Sequence, residues 1–317
     1  MSPLGTGKGH GLMETTTVTG RAERARQRYS DLITALLADG DEAAARACAE
    51  LAVAQGVWRH PDQRPTHYVP SLPPIPVYDP ARYWFTDYLR ESYPRIRAEL
   101  DSVTDPAVRG FLPVEESLLG EGRWDQVTFY DTGQRFDDAC ARFPVTAGVI
   151  EGIPEASSGG PGVVTLSWLH PGTHILPHCG GSNARQRVHL GLVVPEGPRM
   201  RVGDQVLRWK EGDCLVFDDS FEHEVWHEGS EPRVVLLMDV SHADLDDSVR
   251  DWILSARSAF NERIRAYMEE RGIARAEMVD GVLQLVADGG ATSLFTRHLR
   301  EVDASAVELR DGKVSYE

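Results

Sequence analysis

Short apolar runs separated by turn residues dominate the middle of the chain. The runs are rich in β-branched residues and are bounded by Gly, Pro, Asp or Asn, a pattern typical of strands joined by turns. The predicted strands are Val163–Leu169, Arg187–Val194, Cys214–Phe217 and Arg233–Val240, and Trp124–Tyr130 alternates in the same way. Closely spaced antiparallel strands favour a barrel or jelly roll, so we predict a mainly β core here.

Helical periodicity flanks this core. Arg21–Leu37 repeats apolar residues every three or four positions, Gly40 ends the pattern, and Asp41 can cap a second helix through Ala54. Together they form a predicted helical hairpin. Further helices are predicted at Phe85–Leu100, Ser248–Arg271, Glu277–Ala287 and near Ser293–Arg300. The helices after the core make a C-terminal extension. It either covers the mouth of the barrel, where an active site would lie, or forms a homodimer interface, or packs on the barrel.

Composition divides the chain into four parts. Residues 1–20 are rich in Gly and Thr with no apolar core, so we expect disorder there rather than a secretory signal. The helical hairpin then occupies 21–56, the β domain 57–242 and the helical extension 243–317, whose polar tail is expected to fray. At the start of the β domain, His60–Pro80 holds seven prolines and is predicted to lie as an extended belt over the core.

Charge and cysteine content narrow the possible partners. The 317 residues carry a formal net charge of −16, which argues against nucleic acid or an anionic membrane as the main partner. No apolar run approaches the roughly 20 residues that span a bilayer. The four cysteines lack paired spacing, so we expect free thiols and a cytoplasmic protein.

Two histidines at predicted strand ends are candidate metal ligands. His178 follows a break at Pro177, and His223 lies just past the strand that ends at Phe217. Neutral imidazole suits iron, copper, nickel or zinc. A single histidine at a strand end is more often an ordinary polar residue, but two of them bracketing basic strands favour a metal site. His170, His174 and His227 are expected to be hydrogen-bonded loop residues instead.

Arginines on the same strands indicate an anion site. Side chains alternate along a strand, so Arg187 and His189 share one face, and Arg233 opens the last strand. A guanidinium inside a barrel is costly unless it meets an anion, and its fork matches a carboxylate. Metal ligands beside inward arginines indicate a metal enzyme that binds carboxylates.

Three long motifs carry a family resemblance. The segments HPGTHILPHCGGSNARQRVHLGLVVPEG, FDDSFEHEVW and WRHPDQRPTHYVPSLPPIPVYDP occur between Trp58 and Trp226. They resemble the aspartyl/asparaginyl β-hydroxylase family of iron(II)- and 2-oxoglutarate-dependent dioxygenases, over roughly Gly56–His242. The resemblance implies a double-stranded β-helix, that is, a cupin-like jelly roll, with Fe(II), 2-oxoglutarate and O2 as cofactor and cosubstrates.

The resemblance also assigns roles to single residues. It makes His178 and His223 the iron ligands. It places 2-oxoglutarate against Ser167, Arg187, His189, Arg233 and Trp124, with Ser167 and Arg233 on the distal carboxylate. It assigns to Gln126 and Arg185 the binding of the acidic side chain of the substrate. The implied reaction is hydroxylation, at Cβ, of an aspartyl, asparaginyl or similar acidic unit that is free, carrier-bound or in a peptide.

Gly180 leaves one alternative open. Most iron oxygenases of this type use two histidines and a carboxylate, and the carboxylate position is here the side-chain-free Gly180. The resembling family shares this glycine, yet an open iron position also suits halogenation or desaturation. Asp218, Asp219 and Glu222 are nearby carboxylates that we interpret as turn or supporting groups. A non-catalytic cupin-like sensor is the other alternative, although it has no need of the full set of ligand and anion residues.

Overall fold

The computed structural model describes residues 11–102, 109–114 and 118–245, followed by five strand segments between residues 273 and 316. Its helices are α1 (Gly11–Ala38), α2 (Glu42–Ala54), α3 (Trp84–Asp101), α4 (Asp137–Arg142) and α5 (Pro144–Glu151). None of the helices in these residues combines the length and apolar character needed to cross a membrane.

The N-terminal helical hairpin is confirmed, but its first helix begins earlier than predicted. α1 starts at Gly11, ten residues before the predicted start at Arg21. Gly40 adopts a φ of 78° between the two helices, a conformation that glycine tolerates without strain. The side chain of Asp41 then accepts a hydrogen bond from the backbone N–H of Ala44 at 3.0 Å, which caps α2 as predicted.

The strands lie close to their predicted positions. Those of the core are β1 (Val77–Tyr78), β2 (Leu112–Pro113), β3 (Leu119–Glu121), β4 (Trp124–Asp131), β5 (Gln134–Arg135), β6 (Val163–Leu169), β7 (His174–His178), β8 (Arg185–Val193), β9 (Pro198–Val202), β10 (Gln205–Leu207), β11 (Cys214–Phe217), β12 (His223–His227) and β13 (Arg233–Ser241). β7 and β12 were not delimited as strands in the sequence, and β9 and β10 form the hairpin-like segment between the predicted strands; Pro177 in β7 and the charged residues of β9 and β12 hide the alternation.

Two antiparallel sheets form the core. The larger sheet has the order β1-β11-β8-β13-β6-β4-β2, with β5 beside β4, and the smaller has the order β10-β9-β12-β7-β3. From β6 to β13 the chain passes back and forth between the sheets: β6, β8, β11 and β13 lie in the larger, and β7, β9, β10 and β12 in the smaller. This alternation defines a double-stranded β-helix and confirms the predicted mainly β, jelly-roll core.

Alternation along the strands separates two apolar layers. On β13, Val234, Leu236 and Met238 join the layer between the larger sheet and the helices, together with Leu89 and Ile96 of α3. Complete burial of a side chain such as Leu89 contributes about 1.5–3 kcal/mol. The other face of the larger sheet packs against the smaller sheet. There the apolar layer is interrupted by buried Arg, His, Asp and Ser side chains, which marks this interior as the candidate site.

The proline-rich belt, His60–Pro80, is extended as predicted. It contributes only the two-residue strand β1 and two isolated bridges, Gln63 with Phe221 and His67 with Ser182. Just before it, the indole N–H of buried Trp58 donates to the carbonyl of Pro65 at 3.0 Å. The belt therefore crosses the segments that carry the two candidate metal ligands.

The predicted helix Glu277–Ala287 is wrong. The structure has strands β14 (Ile273–Val279), β15 (Val282–Ala287) and β16 (Gly290–Leu294) in one antiparallel sheet, then the pair β17 (Val307–Arg310) and β18 (Lys313–Tyr316). The sequence Asp280-Gly281 between β14 and β15 is a strong hairpin signal that the helical interpretation overlooked. The tail is therefore paired at β17 and β18. The predicted helix Ser248–Arg271 and most of Ser293–Arg300 lie outside the described residues, so a dimer through this extension stays a prediction.

Candidate metal and anion site

His178 and His223 are direct neighbours in the smaller sheet. His178 ends β7, His223 begins β12, and the two are paired across the strands with ring centroids 4.0 Å apart. The Nδ1 of His178 lies 2.8 Å from the carbonyl of Leu176, and the Nδ1 of His223 lies 2.9 Å from that of Phe221. A carbonyl only accepts, so Nδ1 carries the proton and Nε2 carries the lone pair that a metal needs.

Among the described residues, no third protein ligand is brought to this pair. Within the described residues no cluster of three His, Cys, Asp or Glu side chains could hold a metal ion. Gly180 instead packs against Asp219: its N–H donates to the Asp219 carbonyl at 2.6 Å, and a Cβ built on it would lie 2.5 Å from the carboxylate oxygens. Position 180 therefore has no room for a carboxylate, whichever acidic residue were placed there.

A row of rings leads from His223 to a buried arginine. Phe217 lies 5.8 Å from His223 and 5.1 Å from His189, measured between ring centroids. His189 stacks on Trp209 at 6.0 Å, and the guanidinium of Arg233 lies 4.6 Å from the centre of the Trp209 ring. The row joins the histidine pair to Arg233 through the interior between the sheets.

Arg233 is a buried cation that lacks a carboxylate partner among the described residues. Its exposure is 2%, and its Nε forms no hydrogen bond. Burial lowers the pKa of the guanidinium to about 9. A buried charge without a counter-ion is costly, so the position is suited to an anionic ligand.

His189 offers a second donor to the same space. The indole N–H of Trp209 donates to His189 Nδ1 at 3.1 Å, so the proton of the neutral ring lies on Nε2. This Nε2 is buried without a hydrogen-bond partner in the described structure. Burial, and then the charges of Arg233 and Arg187, lower the pKa of His189 well below its usual value, which keeps the ring neutral. A neutral N–H donor and a guanidinium thus lie against the same Trp209 ring in the buried interior.

Three further predicted residues lie on β4 and β6 and face the same interior: Trp124, Gln126 and Ser167. Ser167 on β6 is paired with Gln126 on β4 and with Val235 on β13. The indole N–H of Trp124 donates to Ser167 Oγ at 2.9 Å. Because the serine oxygen accepts this bond, its own hydroxyl proton can be donated to a ligand oxygen. These three predicted residues are therefore brought together, beside Arg233's strand.

Arg185 and Arg187 form a buried cluster with Asp219 and Asp239. Arg187 binds Asp239 through two hydrogen bonds of 2.8 and 3.0 Å, and Arg185 donates to Asp219 at 3.0 Å. Cross pairs of 3.2 Å (Arg187–Asp219) and 3.6 Å (Arg185–Asp239) complete it. Burial raises the pKa of Asp219, but the two arginines outweigh it and hold that pKa below its usual range. The cluster is neutral overall, unlike Arg233.

Sequence reasoning missed Asp239. The sequence did contain a signal for it. Asp239 lies six residues after Arg233 on the same strand, and residues an even number apart on a strand face the same side, so Asp239 must face the same interior. In the structure it is paired directly with Arg187 across β13 and β8. A Cβ on Gly162 would lie 2.2 Å from its carboxylate, and the N–H of Val163 donates to it at 3.1 Å.

The remaining histidines make other hydrogen bonds, as predicted. His170 lies 2.7 Å from the Asp125 carboxylate and His174 2.7 Å from that of Glu224. His227 Nε2 lies 2.7 Å from the carbonyl of Glu231. His174 and His227 are in strands rather than the predicted loops. None of the three joins the His178–His223 pair.

The fold and this interior define the class of protein: a double-stranded β-helix with a two-histidine candidate metal site and a buried anion site. Residues 90–243 match the sequence model of the family described as aspartyl/asparaginyl beta-hydroxylase, which confirms the resemblance. Over these residues the chain is similar to that family.

Individual proteins with known names are similar to parts of this chain. The chain is 39% identical over 192 residues to an aspartyl/asparaginyl beta-hydroxylase of Homo sapiens, covering 59% of this chain and 25% of that protein. It is 33% identical over 172 residues to an ornithine lipid ester-linked acyl 2-hydroxylase of Rhizobium tropici, covering 52% and 59%. The chain thus spans only part of each relative. Among solved structures it is similar to a 2OG-Fe(II) oxygenase family oxidoreductase of Burkholderia pseudomallei, at 14% identity and a TM-score of 0.35, covering 47% and 78%.

Proposed function

We propose that this protein is an iron(II)- and 2-oxoglutarate-dependent hydroxylase. The observation that carries the proposal is the pairing of His178 with His223, whose Nδ1 atoms both face backbone carbonyls. That arrangement presents two Nε2 lone pairs at one point, which suits iron(II). Bound iron(II), with 2-oxoglutarate and O2, supplies the oxidising chemistry that inserts one oxygen atom into a C–H bond and yields succinate and CO2.

The cosubstrate would bind in an anion pocket at the far end of the row of rings. In this proposal Arg233 and Ser167 hold the distal carboxylate of 2-oxoglutarate, and His189 donates its Nε2–H beside them. The supporting observation is that the Arg233 Nε and the His189 Nε2 are buried without hydrogen-bond partners among the described residues. Binding of a carboxylate would satisfy both donors and neutralise the buried charge.

The proposed substrate class rests on two residues of the larger sheet. Gln126 and Arg185 face the interior, and the proposal assigns them an acidic side chain, with hydroxylation at Cβ of an aspartyl, asparaginyl or similar unit. A guanidinium has five donors, so Arg185 can hold Asp219 and still donate to a substrate carboxylate. The substrate is free, carrier-bound or part of a peptide.

Halogenation is the second candidate, favoured by one observation: Gly180 provides no carboxylate ligand. A chloride near Gly180 would lie close to the ionised Asp219, whose carboxylate oxygens are 2.5 Å from where a Cβ would be. Repulsion between two anions disfavours halide there, although Arg185 and Arg187 offset part of it. Hydroxylation is therefore the function that this geometry supports better.

An anaerobic titration tests the proposal. The protein is mixed with iron(II) and 2-oxoglutarate, and the visible charge-transfer band of the complex is recorded before oxygen is admitted and succinate measured. We expect the band and succinate from the wild type, and neither from His178→Ala. Absence of the band in the wild type would favour the non-catalytic sensor instead.

A further inference from the structure

One stretch of the belt, Asp62–Val69, contacts both segments that carry the candidate metal ligands. On the His178 side, the N–H of His67 donates to the carbonyl of Gly181 at 2.9 Å. The N–H of Val69 donates to the side-chain oxygen of Asn183 at 2.8 Å, and the Asn183 amide donates back to the Val69 carbonyl at 3.0 Å. Three hydrogen bonds therefore attach the belt to the residues just after His178.

The same stretch holds the segment before His223. The N–H of Arg64 donates to the carbonyl of Ser220 at 3.1 Å, and the N–H of Glu222 donates to the carbonyl of Asp62 at 2.6 Å. The Arg64 guanidinium also donates to the Glu222 carboxylate at 2.6 Å, in a pair whose side chains are 10% and 19% exposed. Glu222 is the immediate neighbour of His223, so this attachment is adjacent to the ligand.

Gln63 lies at the centre of this contact. It is 1% exposed, and its amide donates to the Asp218 carboxylate at 2.8 Å and to Ser220 Oγ at 3.2 Å. It is also bridged to Phe221, whose carbonyl lies 2.9 Å from His223 Nδ1. The Gln63 amide thus holds Asp218 and Ser220, which lead directly into Phe221, and the Phe221 carbonyl faces the nitrogen that sets the orientation of the His223 ring.

The two histidine segments need such a support. The pairing of β12 with β7 shifts register between His223 and Val225, and beyond His178 and His223 the two segments are joined by the 2.6 Å hydrogen bond from the Gly180 N–H to the Asp219 carbonyl. The belt is the element that bonds to the outer flank of each segment. It lies before residue 90, where the match to the family model begins.

We propose that Asp62–Val69 is a positioning element of the metal site, with Gln63 as its central residue. The belt fixes the Phe221 carbonyl and the Gly181 backbone, and these in turn fix the separation and orientation of the two imidazole rings. This inference rests on the proposed function, because it takes His178 and His223 as the metal ligands. It adds that metal affinity depends on a residue that touches neither the metal nor a substrate.

Cobalt(II), a spectroscopic substitute for iron(II), tests the inference on the full chain. Gln63→Leu removes the amide but keeps the buried volume. We expect it to weaken cobalt(II) binding by about tenfold or more, as loss of outer hydrogen bonds does at metal sites, and to alter the d–d absorption spectrum. Circular dichroism verifies that each variant is folded at the temperature of the titration. A role in stability alone would move neither the affinity nor the spectrum of the folded protein.

Two controls match the substitution. Arg59→Gln removes hydrogen bonds of 3.1 and 3.2 Å to the belt carbonyls of Pro70 and Leu72, away from the histidine segments. Glu99→Gln replaces by an amide the carboxylate that accepts from the N–H groups of α5, on the helical side of the larger sheet. Both are expected to bind cobalt(II) like the wild type, even if they melt at a lower temperature.

The outcomes separate this inference from the proposed function. Cobalt(II) binding that is normal in folded Gln63→Leu but lost in His178→Ala would overturn the role of the belt and leave the metal site intact. If the wild type binds no cobalt(II), both proposals fail together. Should Gln63→Leu not fold, Arg64→Gln takes its place, since it removes the 2.6 Å pair with Glu222 and is expected to weaken binding in the same direction.

Discussion

The carboxylate of Asp219 occupies the space in which a side chain at Gly180 would begin. An ideal Cβ on Gly180 would lie 2.5 Å from both oxygens, far inside van der Waals contact. Asp219 is itself held by Arg185 at 3.0 Å and by Arg187 at 3.2 Å, so it cannot move aside without breaking a buried ion cluster. The glycine is therefore required by packing, which excludes a carboxylate ligand at position 180.

The first prediction follows from this contact. Gly180→Asp should not improve activity, and should lower it, because the new side chain must displace Asp219. Gly181→Asp is the matched control, since nothing lies within 4 Å of a Cβ built there. Succinate formation under saturating iron(II) measures both. Higher turnover in Gly180→Asp than in the wild type would contradict the steric argument.

The product is expected to be hydroxylated even in chloride. An acidic peptide or amino acid is incubated with the enzyme, iron(II), 2-oxoglutarate and chloride, and the product mass is measured. The expected result is a gain of one oxygen, because Asp219 is an anion beside Gly180. A chlorine isotope pattern would instead establish the halogenase alternative.

Replacing either candidate ligand should abolish the reaction. His178→Ala and His223→Ala each remove one of two imidazoles, and a single remaining ligand would hold iron(II) too weakly for turnover. His174→Ala is the control: it lies on the same strand as His178, but its Nε2 is 2.7 Å from Glu224. Iron content and succinate yield should fall in the first two variants only. Full turnover in both would remove the assignment.

Arg233→Ala should raise the requirement for 2-oxoglutarate. The guanidinium is the buried cation that lacks a carboxylate partner in the described structure, and truncating such a charge partner typically costs about 2–5 kcal/mol of binding. The apparent KM for 2-oxoglutarate measures the effect. Arg199→Ala, which removes a guanidinium bound to Glu228 on the outer face, should leave that KM unchanged. An unaltered KM in Arg233→Ala would mean that Arg233 is structural.

Asp218 makes stability depend on pH. Burial raises the pKa of this carboxyl to about 7, even though hydrogen bonds from Ser220 and Gln63 oppose the shift. An unfolded aspartate titrates near pH 4, so between about pH 4 and pH 7 the folded state binds the extra proton. The free energy of unfolding therefore decreases as pH rises through this window, as far as Asp218 contributes.

Asp218→Asn isolates that contribution. The amide does not ionise, so the variant should lose less stability than the wild type between pH 4 and pH 7. Urea unfolding at several pH values measures the difference between the two curves. Parallel curves would show that Asp218 is not protonated in the folded protein at the lower pH.

Part of the site was predictable because it depends on local sequence. The alternation of Arg187 and His189 on one strand, the position of His178 after Pro177 and the extended proline-rich belt all follow from backbone geometry over a few residues. The sequence signal for the C-terminal strands was equally local, but it was misinterpreted as helical. Apolar residues in Glu277–Ala287 fit a helical period, while the Asp280-Gly281 turn signal favoured a hairpin, and the hairpin formed.

By itself the sequence determined the N-terminal helices, the main strands of the larger sheet and the face on which Arg187 and His189 lie, because period and turn chemistry act within a few residues. Only the tertiary structure decided which of these residues meet. His178 and His223 are paired through the register of β7 and β12, Asp239 meets Arg187 through that of β13 and β8, and Gln63 reaches Asp218 across 155 residues. A register shift of one residue reverses the face of every side chain, and alternation alone leaves that register open.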